Sequence, residues 1–285
     1  MRKTAVVASI ALVLAASGGA LAQHAAQSGT FKGCSADGPL NSFDTLLNDQ
    51  KNRSSLPSGT IATMTIKQIT ASAPKRNPES KTPRSQWTPA DKTAIEAFEA
   101  KPLRIEAFMN AVLAEGPEQS NCGAPKGQGD THVYLVDNQN DPNTRAAFAE
   151  VTPRWLAANP SWTQPAIHDL AAKGARVRIT GWPMYDEEHH NMITSGNRGT
   201  LWELHPITNI EVSTSKGWIS LDKLKPAAHA GAVALAVPGA NGPAGHARGG
   251  PATVEIQLTN ARSPQTAAAF LQQEAHLAEL ERQSE

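Results

Sequence analysis

Six side chains able to bind a metal or move a proton fall in four short stretches. His132 lies in "THVYLVD" (131–137) and Glu150 in "RAAFAEVT" (145–152); Asp186 and His189 lie in "YDEEHH" (185–190), and Glu203 and His205 in "TLWELHPITNIEV" (200–212). Imidazole nitrogens and carboxylate oxygens are ligands for zinc, manganese or iron, and a bound divalent metal activates water. In that reading His132, His189 and His205 are the ligands, a carboxylate is the base, and the divalent metal is the one cofactor to consider. The spacing is not diagnostic, because no H-E-x-x-H occurs and "DEEHH" fixes no backbone geometry. The competing and preferred reading is a set of ordinary Glu–His, Asp–His and Arg–Glu pairs on an exposed barrel face.

These groups meet only if strands bring them together. "LRIEAFMNAVL" (103–113) alternates, with Leu103, Ile105, Ala107, Met109, Ala111 and Leu113 expected on one side. "NQNDPN" is a turn between 131–137 and 145–152, and a centre near residue 141 sets His132 opposite Glu150 and Tyr134 opposite Phe148. In 200–212, Trp202, Leu204, Ile210 and Val212 share the core face, which puts Glu203 and His205 on the other. In 175–185, Val177 and Ile179 point inward, and Arg176, Arg178 and Trp182 outward. "TQPAIHDLAAKG" (163–174) is a helix capped by Thr163 and stopped at Gly174. The order strand, strand, strand, helix, strand, strand predicts a mainly β chain with helices. Its centre is an OB-fold-like five-stranded Greek-key barrel with a helix between the third and fourth strands.

Other segments surround this barrel (102–225). Residues 1–22 have the plan of a signal peptide, with Arg2 and Lys3 before an apolar run and a small-residue site ahead of Gln23. The run is too short for a membrane span, and export to a secreted or periplasmic location is expected. Residues 23–101 form an N-terminal helical arm, a linker and a helix. "LNSFDTLLNDQKNR" (40–53) is a short helix or ordered arm, and "GTIATMTIKQIT" (59–70) is either strand or helix. Residues 71–86, carrying Lys75, Arg76, Lys81 and Arg84, are an exposed linker. "TPADKTAIEAFEAKP" is a helix capped by Thr88, with Pro89 in its first turn. An Ala/Gly/Pro linker (226–252) leads to a C-terminal strand and amphipathic tail helix (253–285).

Loss of Arg2 and Lys3 from the 26 basic side chains leaves 24 against 26 acidic ones. A chain so near neutrality has no global field to attract nucleic acid or an anionic membrane. Cys34 and Cys122 are the only cysteines; in an oxidising compartment one disulfide is favoured over two free thiols. No G-x-S-x-G elbow, phosphate-cradling loop or C-x-x-C-H site occurs.

"GDTHVYLVD", "AEVTPRW", "RVRITGWPMYDEEH" and "GTLWELHPITNIEV" resemble, in order and spacing, a group of exported bacterial proteins with an OB-type barrel and a closing W-E-[IL]-H-P-[IV] signature. "LNDQKNR" and "AEGPEQSNCG" are similar to the same group, so the resemblance spans roughly residues 40–212. Lys101-Pro102 departs from it where a Gly-containing turn is expected. The resemblance implies a fold and an exported location, and no reaction. The function expected first is a non-enzymatic binding module for an envelope or extracellular ligand such as a protein or glycan. A metal-assisted hydrolase, acting on phosphodiesters for example, comes second and single-stranded nucleic-acid binding third. The second and third strands offer Tyr134 and Phe148 for stacking, but Arg145 is their one basic residue.

Overall fold

A computed structural model describes residues 26–114 and 117–224, with Gln272. The expected signal peptide, linker 226–252 and C-terminal strand and tail helix lie outside the described residues.

Five strands close a barrel. They are β2 (Leu103–Ala114), β3 (Thr131–Val136), β4 (Ala147–Val151), β5 (Arg176–Tyr185) and β6 (Trp202–Thr214); β1 (Ala62–Met64) and β7 (Gly217–Ser220) extend the sheet. The circuit runs β2–β3–β4–β6–β5 and back to β2, with β4 and β6 parallel and the other barrel pairs antiparallel. α5 (Gln164–Ala172) joins the third barrel strand to the fourth and buries Ile167, Leu170 and Ala171 in the core. This is the expected OB-like barrel with its helix in the expected place. Thr163 accepts from the Ala166 N–H and caps that helix, and Gly174 follows its end with φ of +56°.

One strand breaks the expected alternation. β2 pairs with β5 through Leu103–Phe108 and with β3 through Phe108–Ala114, and a bulge at Asn110 separates Met109 from Ala111. An extra residue reverses side-chain parity. Leu103, Ile105, Ala107 and Met109 therefore fill the barrel as expected, but beyond the bulge Val112 replaces Ala111 and Leu113 inside. Those two move to a second apolar cluster with Tyr134, Phe148 and Met192 on the outer face.

The segments before the barrel are ordered by local signals. α1 (Thr45–Lys51) is capped by Asp44. The ambiguous stretch divides: β1 pairs parallel with β2, and α2 (Ile66–Ser72) starts at a capping box of Thr65 and Gln68. The Asp137 carboxylate, at the end of β3, also accepts the Ile66 and Lys67 N–H groups, both at 2.9 Å. α3 (Pro89–Glu99) is capped by Thr88. The linker reading of 71–86 needs correction. Arg84 is buried and forks onto Glu99 at 2.8 and 2.6 Å, and Arg76 pairs with buried Glu187. A run of basic residues looks solvated in sequence, but its acids come from segments 15 and 111 positions away. Two further short α-helices are α4 (Pro153–Ala158) and α6 (His190–Thr194). No described helix is long and apolar enough to cross a membrane.

Candidate functional site

The hairpin register is the expected one, with His132 opposite Glu150 and Tyr134 opposite Phe148. β6 runs parallel to β4 with Glu203 beside Phe148, so the outward side chains of three strands converge. All six candidate residues gather on this side of the barrel. The face is not exposed, however: His132, Glu150, Asp186, Glu203 and His205 are each 3% exposed or less. Three segments cover it, namely the arm carrying α1, the stretch around Glu118, and the 186–200 loop with α6.

The Cys34–Cys122 disulfide joins two of these covers, with a Cα–Cα distance of 5.7 Å. Buried Arg154 of α4 holds the arm from beneath, donating to the carbonyls of Gln27, Gly29 and Cys34 and to Asn52 Oδ1. The loop is pinned by Gly199, whose N–H donates to Ala146 O at 2.7 Å. A Cβ there would lie 2.8 Å from Thr144 O, so only glycine permits this approach.

Arg198, set by that glycine, is the organising cation. It is fully buried, donates to Asp186 Oδ2 at 3.1 Å and Glu203 Oε2 at 3.0 Å, and lies over the Phe148 ring at 4.4 Å. Asp186 Oδ2 also meets His189 Nδ1 at 2.7 Å. Glu203 Oε1 is 3.1 Å from His205 Nδ1. The opposite ring nitrogen of His205, Nε2, faces Asp130 Oδ2 at 3.3 Å. Glu150 Oε2 sits 2.9 Å from His132 Nε2 and 3.1 Å from His205 Nδ1. Lys51 Nζ reaches Glu188 at 3.5 Å and Glu118 at 3.8 Å.

Burial and these neighbours pull the groups in opposite directions. Burial works against the charge on His205, but Glu150, Asp130 and Glu203 outweigh it and hold the imidazole up to about 10. His189 is likewise opposed by burial and raised to about 9 by Asp186. For Asp186 burial favours the neutral acid, yet His189 and Arg198 hold it well below the usual range. Glu150 and Asp130 are lowered against the same penalty by their imidazole partners. Glu118 and Glu203 are raised, by burial first and then by neighbouring carboxylates. Acids held apart in this way can divide the roles of proton donor and acceptor.

Lys51, Glu118, Asp130 and Arg198 belong to the constellation without having been singled out in the sequence. Only Asp130 had a local signal: it stands two residues before His132, so strand parity puts both on one face. The other three arrive through tertiary folding. His190, beside His189, takes no part in these pairs. Tyr134 and Phe148 belong to the second apolar cluster, with ring centroids 4.3 Å apart and planes tilted by 56°, and are 0% and 1% exposed.

Outside this network lies a cavity of about 280 Å³, lined by Phe43, Lys51, Lys81, Pro117, Glu118, Gln119, Ser120, Glu188 and His189. Lys51, Glu118 and His189 thus join the buried pairs to an open space. The chain matches no protein-family model, no curated protein and no solved structure. Function is therefore argued from the site.

Proposed function

We propose that this chain is an exported binding module that takes a small polar ligand in the cavity beside Lys51, Glu118 and His189. The observation that carries this reading is a recess whose charged walls are held rigid from behind. Groups of both signs line it, and the ion pairs that fix them leave little side-chain freedom to lose on binding. The volume is just below the usual range of about 300–1,000 Å³ for small-molecule sites. It suits a ligand the size of one sugar or one amino acid, such as a unit of an envelope polymer, with Phe43 as an apolar wall. The signal-like first residues and the disulfide support an exported location. So does the resemblance to exported barrel proteins: its segments supply Lys51, Glu118, Asp130, His132, Glu150, Asp186, His189, Glu203 and His205 to the site.

Ligand-observed NMR with a panel of monosaccharides, N-acetylated sugars and amino acids tests this. Saturation transfer to a panel member, lost in Phe43→Ala and Lys81→Ala, is expected. Absence of transfer at millimolar concentrations, or transfer untouched by both substitutions, overturns it. Nucleic-acid binding has less support, because Tyr134 and Phe148 are buried beneath Met192 and Arg198 rather than offered to bases. The hydrolase reading requires a cation, and one donor set favours it.

A further inference from the structure

Asp130, Glu150 and His205 each offer one ligand atom, and the three atoms lie within 4.8 Å of one another. We infer that these residues form a buried site for one first-row divalent cation such as Zn(II) or Mn(II). The inference is independent of what occupies the cavity.

Charged carboxylates buried side by side need a cation, and three features point to this spot. First, Asp130 is fully buried, yet neither of its oxygens accepts a hydrogen bond among the described residues. A buried carboxylate is rarely left so. Its contact with His205 Nε2, at 3.3 Å, lacks hydrogen-bond alignment, and that nitrogen and Glu150 Oε2 are in the same position. Atoms without aligned partners therefore converge from β6, β4 and the residue before β3.

Second, the backing of His205 is that of a metal-bound imidazole. Its Nδ1 is 3.1 Å from Glu203 Oε1, and Arg198 holds the other oxygen of Glu203. Glu150 Oε2 also stands 3.1 Å from Nδ1, so Glu150 reaches a metal on Nε2 by turning its carboxylate away from that nitrogen. A carboxylate behind a histidine fixes the ring and turns the opposite nitrogen to the metal. Here that nitrogen, Nε2, faces Asp130.

Third, the donors match in size and kind. Ligands about 2.0–2.2 Å from a tetrahedral zinc stand roughly 3.4 Å apart. Separations of up to 4.8 Å close to that with a modest contraction of side chains. Two carboxylates and one imidazole suit zinc and manganese better than an all-oxygen cation such as calcium. Around the acids Glu118, Asp130, Glu150, Asp186 and Glu203 stand Lys51, Arg198 and the imidazoles of His189 and His205, and a metal at this spot takes the place of the His205 proton. A second donor group, Glu118, His132 and Glu150, shares Glu150 with the first, and Glu118 lines the cavity. Donors thus lead from the open space to Asp130, an entry path the site requires.

The test uses the full exported chain without an affinity tag, stripped by chelation and dialysed against Mn(II), Zn(II) or Co(II). About one equivalent of metal per chain is expected from elemental analysis. Asp130→Asn, with an unchanged near-ultraviolet circular dichroism spectrum, should weaken binding by about 100-fold or more, since even partners behind a ligand contribute about 10–100-fold. A variant with His229, His246 and His276 replaced by Gln should bind like the wild type. In the wild-type chain, Mn(II) should broaden the NMR amide signals of residues 130–133 and 203–205 first, a readout that needs no substitution at the site. Failure of all three metals to bind overturns the inference. So does equal binding by folded Asp130→Asn, or broadening confined to other residues.

Discussion

The barrel strands have two buried sides built on opposite chemistry. Inside, Val133, Ala149, Leu204 and Ile210 are sealed by α5 and by tryptophans such as Trp155. Outside, the alternate residues His132, Glu150, Glu203 and His205 are equally sealed, beneath the arm, the Glu118 segment and the 186–200 loop. The inner side gains stability from nearly every atom taken out of water. The outer side loses hydration on each charge and recovers it only where a partner stands in place, so a buried ion network is weak evidence for stability. Burial by itself does not identify a core.

Substitutions of similar size separate the two sides. The largest effect is expected from Arg198→Met, which keeps much of the side-chain length but strands Asp186 and Glu203. Removal of one partner from a buried ion group destabilises by about 3–5 kcal/mol, to be read from the denaturant midpoint. A loss below about 1 kcal/mol would mean that the outer network is loosely held and the contrast with the core is false.

A pH series comes next. The folded His189 titrates near 9, above its usual 6.5, so its contribution is complete below about 6.5 and lost as pH rises through about 9. At about 1.4 kcal/mol per unit this is on the order of 3 kcal/mol. His189→Asn should flatten the unfolding free energy across that window, and an identical slope in both proteins would refute the pairing with Asp186. The smallest effect belongs to the inner side: Ile210→Val, a loss of one methyl-sized group from a fully buried residue, should cost about 0.5–1.5 kcal/mol with no pH dependence of its own.

Much of the barrel was legible because strands and helix ends announce themselves locally. Thr88, Pro89 and Thr163 mark helix starts through bonds within three residues. The turn at 138–143 fixes the β3–β4 register, and with it the pairing of His132 and Glu150. The Asn110 bulge was not legible, since "AFMNAVL" continues the apolar alternation and the extra residue is imposed by β2 turning from β5 to β3. Nor were Arg84 and Arg76 recognisable as ion-pair partners inside a basic, proline-rich run. Residues 195–200 form a loop, and nothing in "SGNRGT" shows that Arg198 turns inward to two acids.

The residues themselves determined the order of strands, which side chains share a face, and which neighbours along the chain cap one another. These are set by steric rules and hydrogen bonds that act over a few positions. Tertiary structure alone decided that the polar side of the barrel is closed to water. Lys51, Glu118 and Arg198 approach Glu150 and Glu203 only after segments distant along the chain fold over the sheet. Desolvation, which changes the proton affinity of every group there, depends on what lies overhead and not on what comes next in the sequence.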